Sequence, residues 1–215
     1  SFVTARAGRS GGFPSSSVST RPSRLNIIDT EGFFRSSCDS YCNMAQEESQ
    51  FLVNPYEDPV ILKISGKVSF TNATPVKELF DQLVEQGRDH FVIDFQHCSG
   101  MDSTFLGILA GLGIKLLKRE PKGSVVLCRL GARNRELIQN LGLHRILTVD
   151  DGQEAGKIEA SGDDMQELKD EKKHTEVENA RLVLQAHENL LEVDDSNKTK
   201  FQDVIAFLKN QVNDR

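Results

Sequence analysis

Several features that mark large classes of proteins are scarce in this chain of 215 residues. No stretch approaches the roughly 18 consecutive apolar residues of a membrane span, so no membrane insertion is predicted. Four cysteines without metal-ligand spacing argue against a zinc site and favour a reducing, cytoplasmic setting. The net charge is −6 and no basic run offsets it, so the chain is not expected to bind nucleic acid.

The first 45 residues differ in composition from the rest. From Ser1 to Ile28 the chain has four arginines, no lysine and no acidic residue, together with many serines and glycines. This composition is typical of a targeting leader or of a disordered tail. Met44, followed by Ala45 and Gln46, resembles the natural start of the domain that follows. We therefore expect residues 1–45 to be a disordered leader or non-native upstream sequence.

Residues 46–150 alternate between short apolar segments and amphipathic ones. Strands are predicted at Phe51–Val53, Val60–Ile64, Phe91–Phe95, Ser124–Leu130 and Arg145–Val149. The helices predicted between them run from a Thr74 cap and Pro75 to Gly87, from Ser103 to about Arg119, and through Leu137 to Gly142. Strands that alternate with helices indicate an α/β domain with at least partly parallel pairing.

The remainder of the chain is predicted to be a linker followed by helices. Residues 151–163 are rich in Asp, Gly, Glu and Ala and are expected to form a linker. A long helical pattern runs from Met165 to about Val193, and its first half is charged nearly all round. A final helix has an apolar stripe of Phe201, Val204, Ile205, Leu208 and Val212. Residues 164–215 are therefore predicted to form a helical hairpin or short coiled coil, which could pack on its own domain, form a homo-oligomer or bind a partner.

The segment Gly100–Gly107 is the most informative part of the chain. An apolar strand, His90–Phe95, precedes it, and Asp102-Ser103 lies where the chain enters a helix. A hydroxyl at a helix start normally caps a backbone N–H group. The positive end of the helix dipole also tolerates a phosphate there. Ser103 is therefore either a helix cap or a phosphorylation site.

This segment resembles the STAS family (sulphate transporter and anti-sigma factor antagonist domains), in which Asp-Ser-Ser/Thr-Gly-Leu-Gly follows the central strand. Ile64–Val68 and Leu141–Leu143 are similar to two further family elements, so the resemblance spans Phe51 to Asp150. It implies a mixed sheet of four to five strands with helices packed mainly on one face, here with a C-terminal helical extension. Phe105 stands where the family has a small residue, and its ring could face the core or a partner.

The resemblance also implies a function. In the antagonist branch the serine directly after the aspartate is phosphorylated, and that residue is Ser103 here. Such a protein would be a bacterial anti-sigma factor antagonist that acts by partner switching. Its unphosphorylated form would bind an anti-sigma factor that is itself a serine kinase, and a phosphatase would restore that form. The partner-binding residues would be Met101, Asp102, Ser103, Thr104 and Phe105, with Thr104 as a possible second phosphoacceptor.

Two other functional classes compete with this interpretation. The C-terminal helices favour a constitutive STAS adaptor or scaffold subunit in a multiprotein signalling or transport complex. An enzyme is not expected, because Ser103 lacks the flanking glycines of a nucleophile elbow and His90, His97 and His144 are scattered. No catalytic residue, cofactor or metal is predicted.

Overall fold

The computed structural model describes residues 49–150, 152, 156, 158, 164–169 and 174–213. One mixed sheet has the strand order β5-β4-β3-β2-β1-β6. Its strands are β1 (Gln50–Asn54), β2 (Val60–Val68), β3 (His90–Met101), β4 (Ser124–Cys128), β5 (Thr148–Asp150) and β6 (Gln166–Glu167). The predicted leader, residues 1–45, and most of the predicted linker lie outside the described residues.

Helices connect the strands and extend the chain beyond the sheet. Their bounds are α1 (Thr74–Glu85), α2 (Ser103–Leu117), α3 (Ala132–Asn140), α4 (Glu176–Val193) and α5 (Asn197–Asn213), with a 3-10 turn at Leu143–Arg145. Strands β2, β3, β4 and β5 run parallel to one another, whereas β1 pairs antiparallel with β2 and with β6. The predicted α/β class with a mixed sheet and C-terminal helices is therefore confirmed.

The two faces of the sheet are covered unequally. On β3, Phe91, Ile93 and Phe95 belong to the larger core, whereas Val92 belongs to a smaller cluster that includes Cys128. The larger core is built with apolar residues of α1, α2 and α4, among them Val76, Phe80, Leu106, Leu109, Leu182 and Leu190. The alternation along β3 follows from the period of two in a strand, which sends successive side chains to opposite faces.

The parallel pairing of β2 with β3 positions the segment around Ser103. Val68, the last residue of β2, lies opposite Met101, the last residue of β3. The backbone N–H of Asp102 then donates to the Val68 carbonyl oxygen over 3.2 Å. The chain enters α2 directly after this contact, at the carboxyl edge of the parallel strands, where ligands of α/β proteins commonly bind.

Three predicted boundaries are wrong. Thr74 is the first residue of α1 and not its cap; Ala73 occupies the cap position without a side-chain bond. The last predicted strand, Arg145–Val149, is shorter, because the chain forms the 3-10 turn before β5 begins at Thr148. Residues Arg129 and Leu130 lie beyond the end of β4, since Arg129 adopts a left-handed backbone with φ of 55°.

The helix predicted from Met165 begins later than expected. Gln166 and Glu167 pair with Val53 and Leu52 of β1, and α4 starts only at Glu176. A capping box defines that start: Thr175 Oγ1 accepts from the Glu178 N–H over 3.2 Å, and the Thr175 N–H donates to the Glu178 carboxylate over 2.8 Å. The charged first half of the pattern has no apolar stripe with which a helix could pack, whereas the edge of β1 offers unpaired backbone groups.

Candidate functional site

Asp102 sets the geometry at the start of α2. It is the N-cap residue: its Oδ1 accepts from the Phe105 N–H over 2.9 Å. Its other oxygen, Oδ2, accepts from the N–H of Phe70, in the turn between β2 and α1, over 2.8 Å. Both carboxylate oxygens therefore hold backbone N–H groups, and Asp102 fixes the first turn of α2 against the neighbouring loop.

Ser103 is the first residue of α2, so the capping role belongs to Asp102. Ser103 is only partly buried, and its hydroxyl has a partner 84 positions away in the chain: Ser103 Oγ lies 3.0 Å from Nε2 of His187 in α4. The serine is therefore neither a simple cap nor a freely solvated hydroxyl. It links the start of α2 to the C-terminal helices.

The second nitrogen of His187 determines the direction of this hydrogen bond. Nδ1 lies 2.7 Å from the Val183 carbonyl oxygen, which can only accept, so we assign the ring proton to Nδ1. In a neutral imidazole Nε2 then carries a lone pair, and the Ser103 hydroxyl donates to it. His187 is 4% exposed, and its ring packs edge-on against Phe201 of α5 at a centroid distance of 4.9 Å.

Close packing of α4 on α2 supports the contact between Ser103 and His187. The two backbones approach each other at Gly107 and Ala186, where an added methyl group would overlap the Ala186 carbonyl. Asn189 Nδ2 donates to the Gly107 carbonyl oxygen over 3.1 Å. Leu182 and Leu190 of α4 are part of the larger core. The outer face of α2 is thus covered by α4 rather than open to solvent.

The other residues predicted to bind a partner lie below the surface. Met101, Thr104 and Phe105 are 7%, 3% and 0% exposed. Phe105 faces the core, where its ring meets Phe95 edge-on at a centroid distance of 6.5 Å. In this conformation the Thr104 hydroxyl is also shielded from a kinase. Of the five predicted residues, only Asp102 and Ser103 have side chains that are partly accessible.

Sequence reasoning missed two residues beside Ser103. Phe70 is 45% exposed and is held by Asp102, so it contributes apolar surface near the start of α2. The sequence places His187 within the predicted long helix but does not indicate its contact with Ser103, because that contact depends on the packing of α4. The signal that could have identified Phe70 is an aromatic residue within the polar stretch from Ser69 to Asn72.

A cavity between helices is not lined by Ser103 or His187. It has a volume of about 180 Å³ and lies between α1, α2 and α4. At its rim, Asp81 receives hydrogen bonds from Lys77 and Lys115. Burial raises the pKa of Asp81, but the bonds from Lys115 and Lys77 outweigh burial and hold that pKa below its usual value. The Asp81 carboxylate offsets one of the two lysine charges, and none of these three residues is a described partner of Ser103 or His187.

Neither a metal centre nor a membrane span is found in the described residues. No group of three or more His, Cys, Asp or Glu side chains there could hold a metal ion. Within the same part of the chain, no helix combines the length and the apolar composition needed to cross a membrane. Cys98 and Cys128 form no disulfide within the described part of the chain, and burial raises the pKa of the Cys98 thiol.

One protein-family model and several solved structures match this chain. Residues 50–155 match the model of the STAS domain family. Among solved structures, the chain is similar to the anti-sigma factor antagonist SpoIIAA in its unphosphorylated form, with 19% identity, a TM-score of 0.43, and coverage of 51% of this chain and 96% of that one. It is also similar to an anti-sigma factor antagonist from Mycobacterium paratuberculosis, with 20% identity, a TM-score of 0.44, and coverage of 52% and 92%.

A further similar structure is the Bacillus cell fate determinant SpoIIAA in its phosphorylated form, with 19% identity and a TM-score of 0.42. That similarity covers 50% of this chain and 97% of the other. The family match includes the strand β3, the motif that begins at Asp102, and the whole of α2 and α3. Residues 50–155 therefore match the STAS domain family, and the chain resembles that family over this range.

Proposed function

We propose that the protein is an anti-sigma factor antagonist controlled by phosphorylation of Ser103. The unphosphorylated form binds an anti-sigma factor that is also a serine kinase, phosphorylation ends this binding, and a phosphatase restores the hydroxyl. The supporting observation is the position of Ser103: it is the first residue of α2, directly after the cap Asp102, and the residue is only partly buried. The STAS family match over residues 50–155 also supports the proposal.

The local electrostatics allow modification without unfolding. A phosphate adds about −1.5 to −2 charges at neutral pH, and here it would lie beside the Asp102 carboxylate. The positive end of the α2 dipole partly offsets this repulsion. A partner docked on the same surface would meet the full bulk, charge and hydration of the phosphate. A hundredfold loss of affinity requires only about 2.7 kcal/mol, which one buried phosphate can supply.

The proposed partner surface consists of Phe70, Asp102 and Ser103. Phe70 supplies exposed apolar area, and Asp102 fixes it in place through the Phe70 N–H. Met101, Thr104 and Phe105 would contribute from beneath, since they pack the first turn of α2 into the core. In this role the protein is a regulator of transcription in the bacterial cytoplasm, and no catalytic residue of its own is required.

Substitutions at Ser103 test the proposal. The binding of each serine-kinase anti-sigma factor of the source organism would be measured by calorimetry with the full chain. Ser103→Asp should weaken binding of the cognate factor about a hundredfold, by charge repulsion at the docked surface. Ser103→Ala should bind and resist phosphorylation. Ser124→Asp, a change at another half-buried serine at the start of β4, is the matched control and should bind normally.

The proposal would be rejected if neither Ser103 variant altered the binding of any of these factors while Ser103→Asp stayed folded. Circular dichroism and thermal unfolding of the variants would establish that the chain is intact, so that a loss of binding could be assigned to the surface.

A constitutive adaptor remains the second candidate, and one observation favours it. The C-terminal helices cover the outer face of α2, and His187 holds the Ser103 hydroxyl. In that case the hydroxyl is a structural link, and the protein is a scaffold subunit of a signalling or transport complex. Ser103→Ala would then lower stability without altering partner binding, and the purified partner would be a scaffold or transporter component rather than a kinase.

A further inference from the structure

The C-terminal hairpin, defined here as α4 and α5, is docked on the helix that begins with Ser103. We propose that the modification state of Ser103 controls this docking, so that a phosphate on Ser103 releases α4 from the outer face of α2. This inference deepens the proposed function and rests on Ser103 being the modified residue. The hairpin is then an intramolecular partner that responds to the same phosphate as an external one.

The hydrogen bonds of His187 support this inference. Nδ1 donates to the Val183 carbonyl oxygen, so neutral Nε2 can only accept, and Ser103 supplies the proton. A phosphorylated Ser103 has no hydroxyl proton to donate. It would instead bring oxygen anions toward the lone pair of an imidazole that is 4% exposed. One donor–acceptor contact is therefore replaced by an acceptor–acceptor contact.

The described contacts beside Ser103 and His187 would not stabilise a phosphate. Asp102 adds negative charge on one side, and the ring of Phe201 packs against His187 on another. The nearest charged residue of α4 in sequence, Glu188, is acidic and forms an ion pair with Lys209 at 3.0 Å. Bringing a dianion into this contact therefore requires either a proton on His187 or separation of α4 from α2. We infer separation, because the described partners of His187 apart from Ser103, the Val183 carbonyl oxygen and the Phe201 ring, carry no positive charge that would favour the docked state.

The hairpin would remain tethered when α4 moves. Asn197, at the start of α5, is fully buried, and its Nδ2 donates to the carbonyl oxygens of Leu141 and Leu190 over 3.1 and 2.9 Å. Arg145 pairs with Asp194 at 2.9 Å in the same region. These contacts hold the turn between α4 and α5 against the end of α3. The contacts at Ser103 and Gly107 can open while this anchor persists.

Hydrogen exchange on the full chain tests the coupling. Phosphoserine would be introduced at position 103 by codon suppression, and the exchange rates of the α4 amides would be compared with those of the unmodified chain. We expect exchange in α4 to be about tenfold faster, the factor that corresponds to leaving one buried polar group unsatisfied. Amides of β3 serve as the internal reference and should change little, which distinguishes release of the hairpin from global unfolding.

A matched control uses a second serine–histidine contact. Ser124 Oγ lies 3.0 Å from Nδ1 of His90, which is exposed and begins β3, whereas Ser103 follows the other end of that strand. Phosphoserine at position 124 should leave exchange in α4 unchanged. The phosphate effect at position 103 should also shrink in a His187→Ala background, because the variant lacks the imidazole that the phosphate opposes.

Two results would overturn the inference: unchanged or slower exchange in α4 after phosphorylation of Ser103, or the same acceleration with and without His187. Slower exchange would show that His187 gains a proton and binds the phosphate. Because phosphoserine is installed during translation, the result does not depend on any kinase or sigma factor. A negative result of the exchange experiment would not affect the binding test of the Ser103 variants. A negative result of that binding test would likewise not affect the exchange experiment.

Discussion

Gly107 of α2 and Ala186 of α4 lie so close that the glycine leaves no room for a methyl group, since an added Cβ would overlap the Ala186 carbonyl. This contact is made between backbones, and a flexible side chain cannot relieve it. Asn189, one turn further along α4, donates to the Gly107 carbonyl oxygen. The position of α4, and with it the contact between His187 and Ser103, therefore depends on a residue without a side chain.

Gly107→Ala should separate α4 from α2. Alanine favours a helix by about 1 kcal/mol over glycine, so any destabilisation must come from the helix contact. We expect the free energy of unfolding to fall by about 1–3 kcal/mol, as in other overpacked sites, when urea unfolding of the full chain is measured. The control is Gly131→Ala, where an added Cβ has no neighbour within 4 Å. Equal or greater stability of Gly107→Ala would contradict the described packing.

A buried ion pair on the other face of the sheet should contribute strongly to stability. Arg129 Nε and Nη2 donate to the two oxygens of Asp94 over 2.8 and 2.5 Å, and Asp94 is 3% exposed. Arg129→Met leaves a buried carboxylate without this partner and should lower the free energy of unfolding by about 3 kcal/mol. The double variant Asp94→Leu with Arg129→Met should regain most of that loss. A loss that is the same in the single and double variants would refute the pairing argument.

Asp81 should make part of the stability pH-dependent. Its pKa is lowered because hydrogen bonds from Lys115 and Lys77 outweigh the effect of burial. A lowered pKa in the folded state stabilises the protein above the unfolded value, near 3.9, and this contribution is lost as the pH falls through the folded value. Asp81→Asn should therefore cost up to about 1 kcal/mol at pH 7. Below about pH 4 its stability should approach that of the unchanged chain.

Urea unfolding at a series of pH values would measure this difference. Glu85→Gln, at an exposed position of the same helix, is the control. A stability difference for Asp81→Asn that was the same at pH 7 and pH 3 would show that the carboxylate is not stabilised by the two lysines.

The alternation of strands and helices between residues 50 and 150 was predictable, because each element has a clear hydrophobic period. The pairing of Gln166–Glu167 with β1 was not, since it depends on unpaired backbone groups and not on side-chain pattern. The Asp102-Ser103 junction was visible in the sequence. The sequence does not show that α4 covers this junction. The only indication is that α2 is apolar nearly all round, which is typical of a helix buried on two sides.

The contact between Ser103 and His187 illustrates the limit of sequence reasoning. The two residues are 84 positions apart, and the hydrogen bond exists only because α4 packs into the space left by Gly107. Periodicity can indicate which face of α4 is apolar, but it does not specify which helix that face contacts. The same limit applies to Phe105, whose burial against Phe95 is fixed by the path of β3 into α2.

Quantitative phosphopeptide mapping of the native protein tests the central claim most directly. The protein would be isolated from its own cells in growth and under stress, and occupancy would be measured on the peptide that contains Ser103. We predict phosphate on the Ser103 hydroxyl, at an occupancy that changes with conditions, and none on buried Thr104. A Ser103 that is never phosphorylated under any of these conditions would contradict the account and favour a constitutive adaptor.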